Sequence, residues 1–483
     1  MDGSLADRLT SYDATSLAEA IRARSLSCED VISAHFERIS KLNKECNALA
    51  TLDQARALQD ARAADTDLRK GRSRGPLHGV PITIKDALLT AGLRTTAGHS
   101  KYKDFVPVAD AWVVDKLKKA GAIVIGKTNC AALCSDIQTR NDIFGTTTNP
   151  WDSDRTSGGS SGGDAAAVAL GMSPLSIGSD TSGSIRVPSS YCGVFGLKTS
   201  ADRIPRDGLL PLHDATHARP DSLTVVGPMA RSIRDLALCH EILTGESLPI
   251  HTGASPKIYW THRFDTQAVD DEVGGALDAT FSALCNAGAE VAKVEPPFAM
   301  EKLFGTFIRL FMFEFCPEEI AGKMMSVFFL SEAVRSLFRG GVRGSYEALK
   351  RDQAALRRRM DVFMRGCDGW VLPATPSVAF AHQKTGRAIP MTLNGHTKHR
   401  GYWEASVGLT YPFNLLGNPC VVVPMGRSKE GMPIAVQVVG RVGEDRKLLG
   451  VAAYIAETIR ARAGSSVRAP RNQLLNSGTM GGG

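Results

Sequence analysis

With 483 residues, 43% hydrophobic and 22% charged, the chain sits near the averages of folded globular proteins, which excludes global disorder and allows two or three domains or one large α/β unit. The 57 basic and 50 acidic residues leave a net charge of +7; the densest basic run, Arg357, Arg358 and Arg359, lacks interleaved aromatics and reads as a solvated helix face, not a nucleic-acid stripe. The 10 cysteines are scattered, and no second Cys or His pair stands beside Cys130 and Cys134, which argues against a disulfide scaffold and against zinc.

Residues 13–70 read as helices. Leu17, Ile21, Val31, Ile32, Phe36 and Ile39 recur at helical spacing, and Ser27 followed by Asp30 resembles a capping box. After a turn-rich break at 71–76, the stretch VPITIKDALL (80–89) is rich in β-branched residues and predicts a buried strand. An amphipathic helix over 110–121 and the short apolar strand AIVIGKT (122–128) follow. Alternation of this kind predicts an α/β sheet covered by helices on both faces.

An Ala-rich helix is expected over 164–172, and 204–231 is loop-like. Helical segments follow at 271–288 and 345–364, and a strand begins at Trp370. The polar segment 383–398 reads as a lid or surface excursion. CVVVPM (420–425) and IAVQVVG (434–440) read as strands joined by a turn, and the tail from Ala463 onward as frayed. The N-terminus lacks a signal-peptide core, and no run reaches about 18 apolar residues, so a reduced, cytoplasmic protein without a membrane span is expected.

The glycine loop TSGGSSGGDAAA (156–167) allows three chemistries. A phosphate cradle of the P-loop kind needs a Lys and Ser/Thr after its last glycine, whereas Asp164 stands here and would repel phosphate. Residues 158–162 satisfy G-x-S-x-G, a nucleophile elbow with Ser160 at its centre and His213 or His217 as a conceivable base. An elbow needs a strand directly before it, however, and NPWDSDRT supplies Pro, Asp and Ser.

The third possibility lies outside the loop. A second Ser/Gly cluster, GSDTSGSIR (178–186), places Ser184 24 residues after Ser160, with the Ala-rich helix between them. Upstream, Lys85 interrupts an apolar strand. It could reach solvent or pair with Asp86, although strand alternation puts those two on opposite faces. Buried beside the serines instead, its charged form would be disfavoured, and it could act as a base without histidine.

Taken together, GVPITIKD, GKTN, TNPWDSDRTSGGSSGGDAAAVALG and GSDTSGSIRVPSSYCGVFGLK resemble the amidase signature family, with weaker similarity around FNLLGNPCVVVPM and IAVQVVG. The resemblance implies an α/β amidase signature fold, a large mixed twisted β-sheet with helices on both faces. It also implies a Ser–cisSer–Lys unit: Lys85 as base, Ser160 as bridging serine after a cis Gly159–Ser160 peptide, and Ser184 as nucleophile. The oxyanion would rest on backbone N–H groups of Thr181, Ser182, Gly183 and Ser184, while Asp180 and Arg186 would fix the loop. Ser182 replaces a family glycine, and GLKTS replaces the common GLKPT. Cys134 falls where members line the acyl pocket, and Arg203 lies near its mouth.

The resemblance implies no metal or organic cofactor. The chain is expected to comprise an N-terminal helical segment (1–70), a catalytic domain (71–470) and a disordered tail (471–483). The expected activity is hydrolysis of amides, carbamates or esters bearing hydrophobic or aryl groups. The aromatic stretch LFGTFIRLFMFEF (303–315) underlies that choice, as a core helix or a pocket wall. A small-molecule substrate, no nucleic acid, no membrane, and a monomer or homodimer go with it. The alternative is the glutamine-hydrolysing subunit of a tRNA-dependent amidotransferase.

Overall fold

Strand PITIK buries all five of its side chains, so helices must cover both faces of the sheet it joins. The computed structural model describes residues 5–210, 221–247, 255–263, 267–315 and 346–463. In chain order, the strands of the first half are β1 (Leu49–Leu52), β2 (Pro81–Lys85), β3 (Ile123–Thr128), β4 (Arg140–Asn141), β5 (Gly145–Thr146), β6 (Leu175–Asp180), β7 (Phe195–Lys198) and β8 (Val225–Ala230). Those of the second half are β9 (Lys257–Trp260), β10 (Glu290–Lys293), β11 (Gly369–Pro373), β12 (Ile389–Leu393), β13 (His396–Arg400), β14 (Cys420–Arg427) and β15 (Pro433–Val439).

Eleven of them form one mixed sheet in the order β1-β3-β2-β6-β8-β7-β14-β15-β11-β9-β10. β2 runs parallel to both β3 and β6, whereas β8 is antiparallel to β6 and β7. The expected mixed α/β sheet is therefore present.

Most predicted elements lie where periodicity put them. Ser27 accepts the Asp30 N–H (3.0 Å) and caps the Cys28–Cys46 helix. The Trp112–Lys119, Asp271–Asn286 and Tyr346–Met364 helices match their expected positions, as do β3, β11, β14 and β15. The Ala-rich helix runs from Gly162 to Ala169 and is buried throughout.

Four expectations change. The strand at 80–89 stops at Lys85, where the chain turns. The supposedly loop-like 204–231 contains β8, a central strand despite its Gly and Pro. Gly227 is required there because a Cβ would sit 2.1 Å from the Leu197 carbonyl oxygen. The helical reading of 13–70 missed β1, and the polar excursion at 383–398 holds β12 and the start of β13, which pair as a hairpin.

A large apolar cluster joins the N-terminal helices to the sheet. A second, aromatic cluster lies around Trp370, Phe413, Tyr411, Phe307 and Met360. No helix among the described residues is long and apolar enough to cross a membrane.

Candidate active site

Lys85 closes β2 and is fully buried. Its Nζ donates to Ser160 Oγ at 2.7 Å and to Ser179 Oγ at 3.1 Å. Alternation sends Asp86 to the other face, where its carboxylate accepts the Thr96 N–H at 3.1 Å. Burial raises the Asp86 carboxyl to about 6, against the opposing pull of Lys127. The Lys85–Asp86 pairing does not form.

Ser160 follows a cis Gly159–Ser160 peptide, as the resemblance implied. The glycine is dictated by close approach: a Cβ on Gly159 would sit 2.6 Å from the Asp136 carbonyl oxygen. No strand directly precedes this loop, so the structural context of an elbow is missing, and His213 and His217 lie outside the described residues. The Ser161 N–H donates to the Ser184 carbonyl (3.3 Å), which brings the two Ser/Gly loops side by side.

The Ser184 loop is held from beneath. Arg186 and Asp180 are fully buried and paired twice, Nη2 to Oδ1 at 2.9 Å and Nε to Oδ2 at 3.0 Å. Burial alone would raise the Asp180 carboxyl, but Arg186 outweighs it and holds the group well below the usual carboxylate range. Asp180 also accepts the N–H groups of Gly183 (2.7 Å) and Ile185 (3.1 Å). The Gly183 N–H, expected in the oxyanion hole, thus props the loop instead. Thr181, Ser182 and Ser184 are the loop donors that Asp180 does not take.

Sequence reasoning missed several supports. Ser179 lies within the quoted cluster, two residues before Thr181, yet its bond to Lys85 has no motif of its own. Thr410 Oγ1 donates to the Ser182 carbonyl at 2.5 Å, and Asn414 Nδ2 to the Asp180 carbonyl at 2.9 Å. Asp164, behind the glycine loop, accepts from Thr128 (2.7 Å) and Ser176 (2.6 Å) through Oδ1, and burial raises its carboxyl to about 7.

The two expected substrate contacts part company. Cys134 is partly accessible and closes a turn beside the relay serine: its N–H donates to the Ala131 carbonyl (2.9 Å), and the Ala131 N–H donates to the Ser160 carbonyl (3.1 Å). Arg203 instead forms an ion pair with Glu246. In the aromatic stretch, Phe307 packs 5.0 Å from Tyr411, and Leu303 and Leu310 are buried in the second cluster. One face of this helix is core.

The arrangement resembles known proteins closely. The amidase family model matches residues 30–449. A glutamyl-tRNA(Gln) amidotransferase subunit from Clostridium acetobutylicum is 31% identical, over 90% of this chain and 96% of that one. A solved amidase is 32% identical with a TM-score of 0.79, covering 92% and 99% of the two chains. A 6-aminohexanoate cyclic dimer hydrolase, solved with its substrate, is 26% identical with a TM-score of 0.76, covering 97% and 100%. The chain belongs to the amidase signature family.

Proposed function

We propose that the protein cleaves the C–N bond of a linear carboxamide by acyl transfer through Ser184, with Ser160 as proton relay and Lys85 as base. The observation that carries this is the buried 2.7 Å contact from Lys85 Nζ to Ser160 Oγ, in a loop bonded to that of Ser184. Ser184 Oγ attacks the carbonyl while its proton passes through Ser160 to Lys85. The oxyanion rests on the N–H groups of Thr181, Ser182 and Ser184. The relay then runs backwards to protonate the leaving amine, and water hydrolyses the acyl-enzyme.

At the level of substrate, the names of the curated relatives support glutamine as the amide, with the chain acting as one component of an amidotransferase on glutamyl-tRNA(Gln). On this reading the chain works with partner subunits and a tRNA substrate. A stand-alone hydrolase of apolar amides is the second reading. Phe304, Phe311 and Phe315 favour it, because they are only partly buried and line up on one helix. The expectations of a small-molecule substrate alone, and of carbamates or esters, belong to this second reading.

The test measures ammonia release from glutamine beside turnover of a panel of anilides, carbamates and esters. Ser184→Ala should lower the productive activity by roughly 10³-fold or more, and Lys85→Ala comparably. A fluorophosphonate should label Ser184. Labelling of Ser160, or undiminished turnover in Ser184→Ala, would overturn the assignment.

A further inference from the structure

Lys85 stands where the backbone ladder gives out. β2 pairs with β6 only from Ile82 to Ile84, so Lys85 has a strand neighbour on one side alone, Thr128 of β3. On that side the register shifts between Ile82 and Thr83, which interrupts the pairing just before the lysine. The chain then turns at Asp86. Main-chain bonds at such a strand end leave a long side chain weakly placed.

Asp164 supplies the missing constraint. It is fully buried, and its Oδ1 accepts from Thr128 Oγ1 on β3 (2.7 Å) and from Ser176 Oγ on β6 (2.6 Å). Ser176 in turn accepts from Thr83 Oγ1 (2.9 Å), which alternation places on the same face of β2 as Lys85. One carboxyl oxygen therefore gathers three parallel strands around the lysine. Oδ2 has no partner among the described residues, so the constraint rests on Oδ1.

Asp164 also belongs to the Gly162–Ala169 helix, and the loop leading into that helix carries Ser160. The helix is docked on the end of β3: the Gly163 N–H donates to the Asn129 carbonyl (3.2 Å), and a Cβ on Gly163 would run into that carbonyl. The two ends of the 2.7 Å contact between Lys85 and Ser160 are thus fastened to each other through Asp164.

We propose that Asp164 is the positioning residue of the proton relay: by binding Thr128 and Ser176 it holds Lys85 Nζ within hydrogen-bond reach of Ser160 Oγ. It acts through these neighbours. Proton transfer demands such support, since a misplacement of about 1 Å can cost two orders of magnitude in rate. The consequence for turnover rests on the amidase function proposed above; the effect on the contact does not.

The experiment determines crystal structures of Asp164→Ala and Asp164→Asn, and measures kcat per fluorophosphonate-labelled site, KM and the rate of labelling at Ser184. Asn keeps an Oδ1 acceptor and Ala does not. In Asp164→Ala the Lys85–Ser160 distance should open past about 3.5 Å, out of hydrogen-bond range. Its kcat and labelling rate should fall by roughly tenfold to a hundredfold, with KM changed by less than about twofold. Asp164→Asn should keep the contact and stay within about threefold of the parent kcat. Thr128→Val removes one donor and leaves the carboxyl and the strand in place; it should lower kcat by several-fold, and it serves where Asp164→Ala does not fold.

An Asp164→Ala protein that keeps the contact or the parent kcat would overturn the proposal. So would an Asp164→Asn protein as slow as Asp164→Ala, because the charge of the carboxyl and not its acceptor would then matter. If the parent protein neither turns over an amide nor labels, yet the contact opens with Ala and holds with Asn, the positioning role stands and the amidase function fails.

Discussion

Lys85 and Asp164 are two fully buried ionisable groups, and they are held differently. Lys85 spends its donors on Ser160 and Ser179, whereas Asp164 accepts both of its hydrogen bonds through Oδ1 and leaves Oδ2 without a partner among the described residues. Burial raises the Asp164 carboxyl from 3.8 to about 7, so the folded chain keeps a proton that the unfolded chain releases from about pH 4 upward. That contribution to stability is complete below about pH 4 and is lost as pH rises through about 7. A displacement of about three pKa units amounts to roughly 4 kcal/mol. Asn at this position keeps an Oδ1 for Thr128 and Ser176 and carries no titrating proton. Denaturant unfolding at a series of pH values should therefore show Asp164→Asn gaining on the parent protein between pH 4 and 7. Parallel curves would show that Asp164 is ionised in the fold.

At the scale of elements, the Ser184 loop hangs between β6 and the Arg186–Cys192 helix and is tied to the distant Tyr411–Leu416 helix. Arg186 makes the tie: Nη1 reaches the Thr410 carbonyl at 2.7 Å, and Nη2 contacts both Asp180 and Asn414. Arg186→Met removes one partner of a fully buried pair and strands the Asp180 charge, a change worth about 3–5 kcal/mol. Adding Asp180→Asn should recover part of that stability in chemical denaturation, but little activity, because the loop has lost its tie. Full recovery of both would mean that the pair does not position Ser184. Much of this machinery was readable from the chain because Lys85, Ser160, Ser184, Asp180 and Arg186 sit in contiguous, chemically unusual stretches. Thr410 and Asn414 were not readable: their bonds span more than 220 residues and leave no local pattern. β8 was hidden for a different reason. Its Gly227 answers to the backbone of β7, and its Pro228 faces Ile177 of β6, so packing overrides two residues that locally signal a break. The aromatic stretch left two readings open, because a buried helix and a pocket wall share one composition.

Across the whole molecule, the division into an N-terminal helical segment and a catalytic domain remains a proposal to set against the sheet. Strand β1, from the first 70 residues, pairs with β3, so the segment contributes an edge to the same sheet that carries Lys85. Asp235 accepts the N–H groups of Ala14 (3.0 Å) and Thr15 (2.8 Å), and Arg234 pairs with Asp13 at 2.6 Å. These bonds fasten the start of the chain to the Ile233–Thr244 helix. A segment sharing both a strand and buried polar contacts with its neighbour should not unfold separately. The five tryptophans, Trp112, Trp151, Trp260, Trp370 and Trp403, all lie beyond residue 70, whereas helix content includes the N-terminal segment. Far-UV circular dichroism therefore reports on both parts and tryptophan fluorescence on the second. If the molecule is one cooperative unit, the two signals should share a single denaturant midpoint. A helical loss that precedes the fluorescence change would separate the first 70 residues as a unit of their own, and Asp235→Ala should then widen the gap by loosening the one buried carboxylate that grips Ala14 and Thr15.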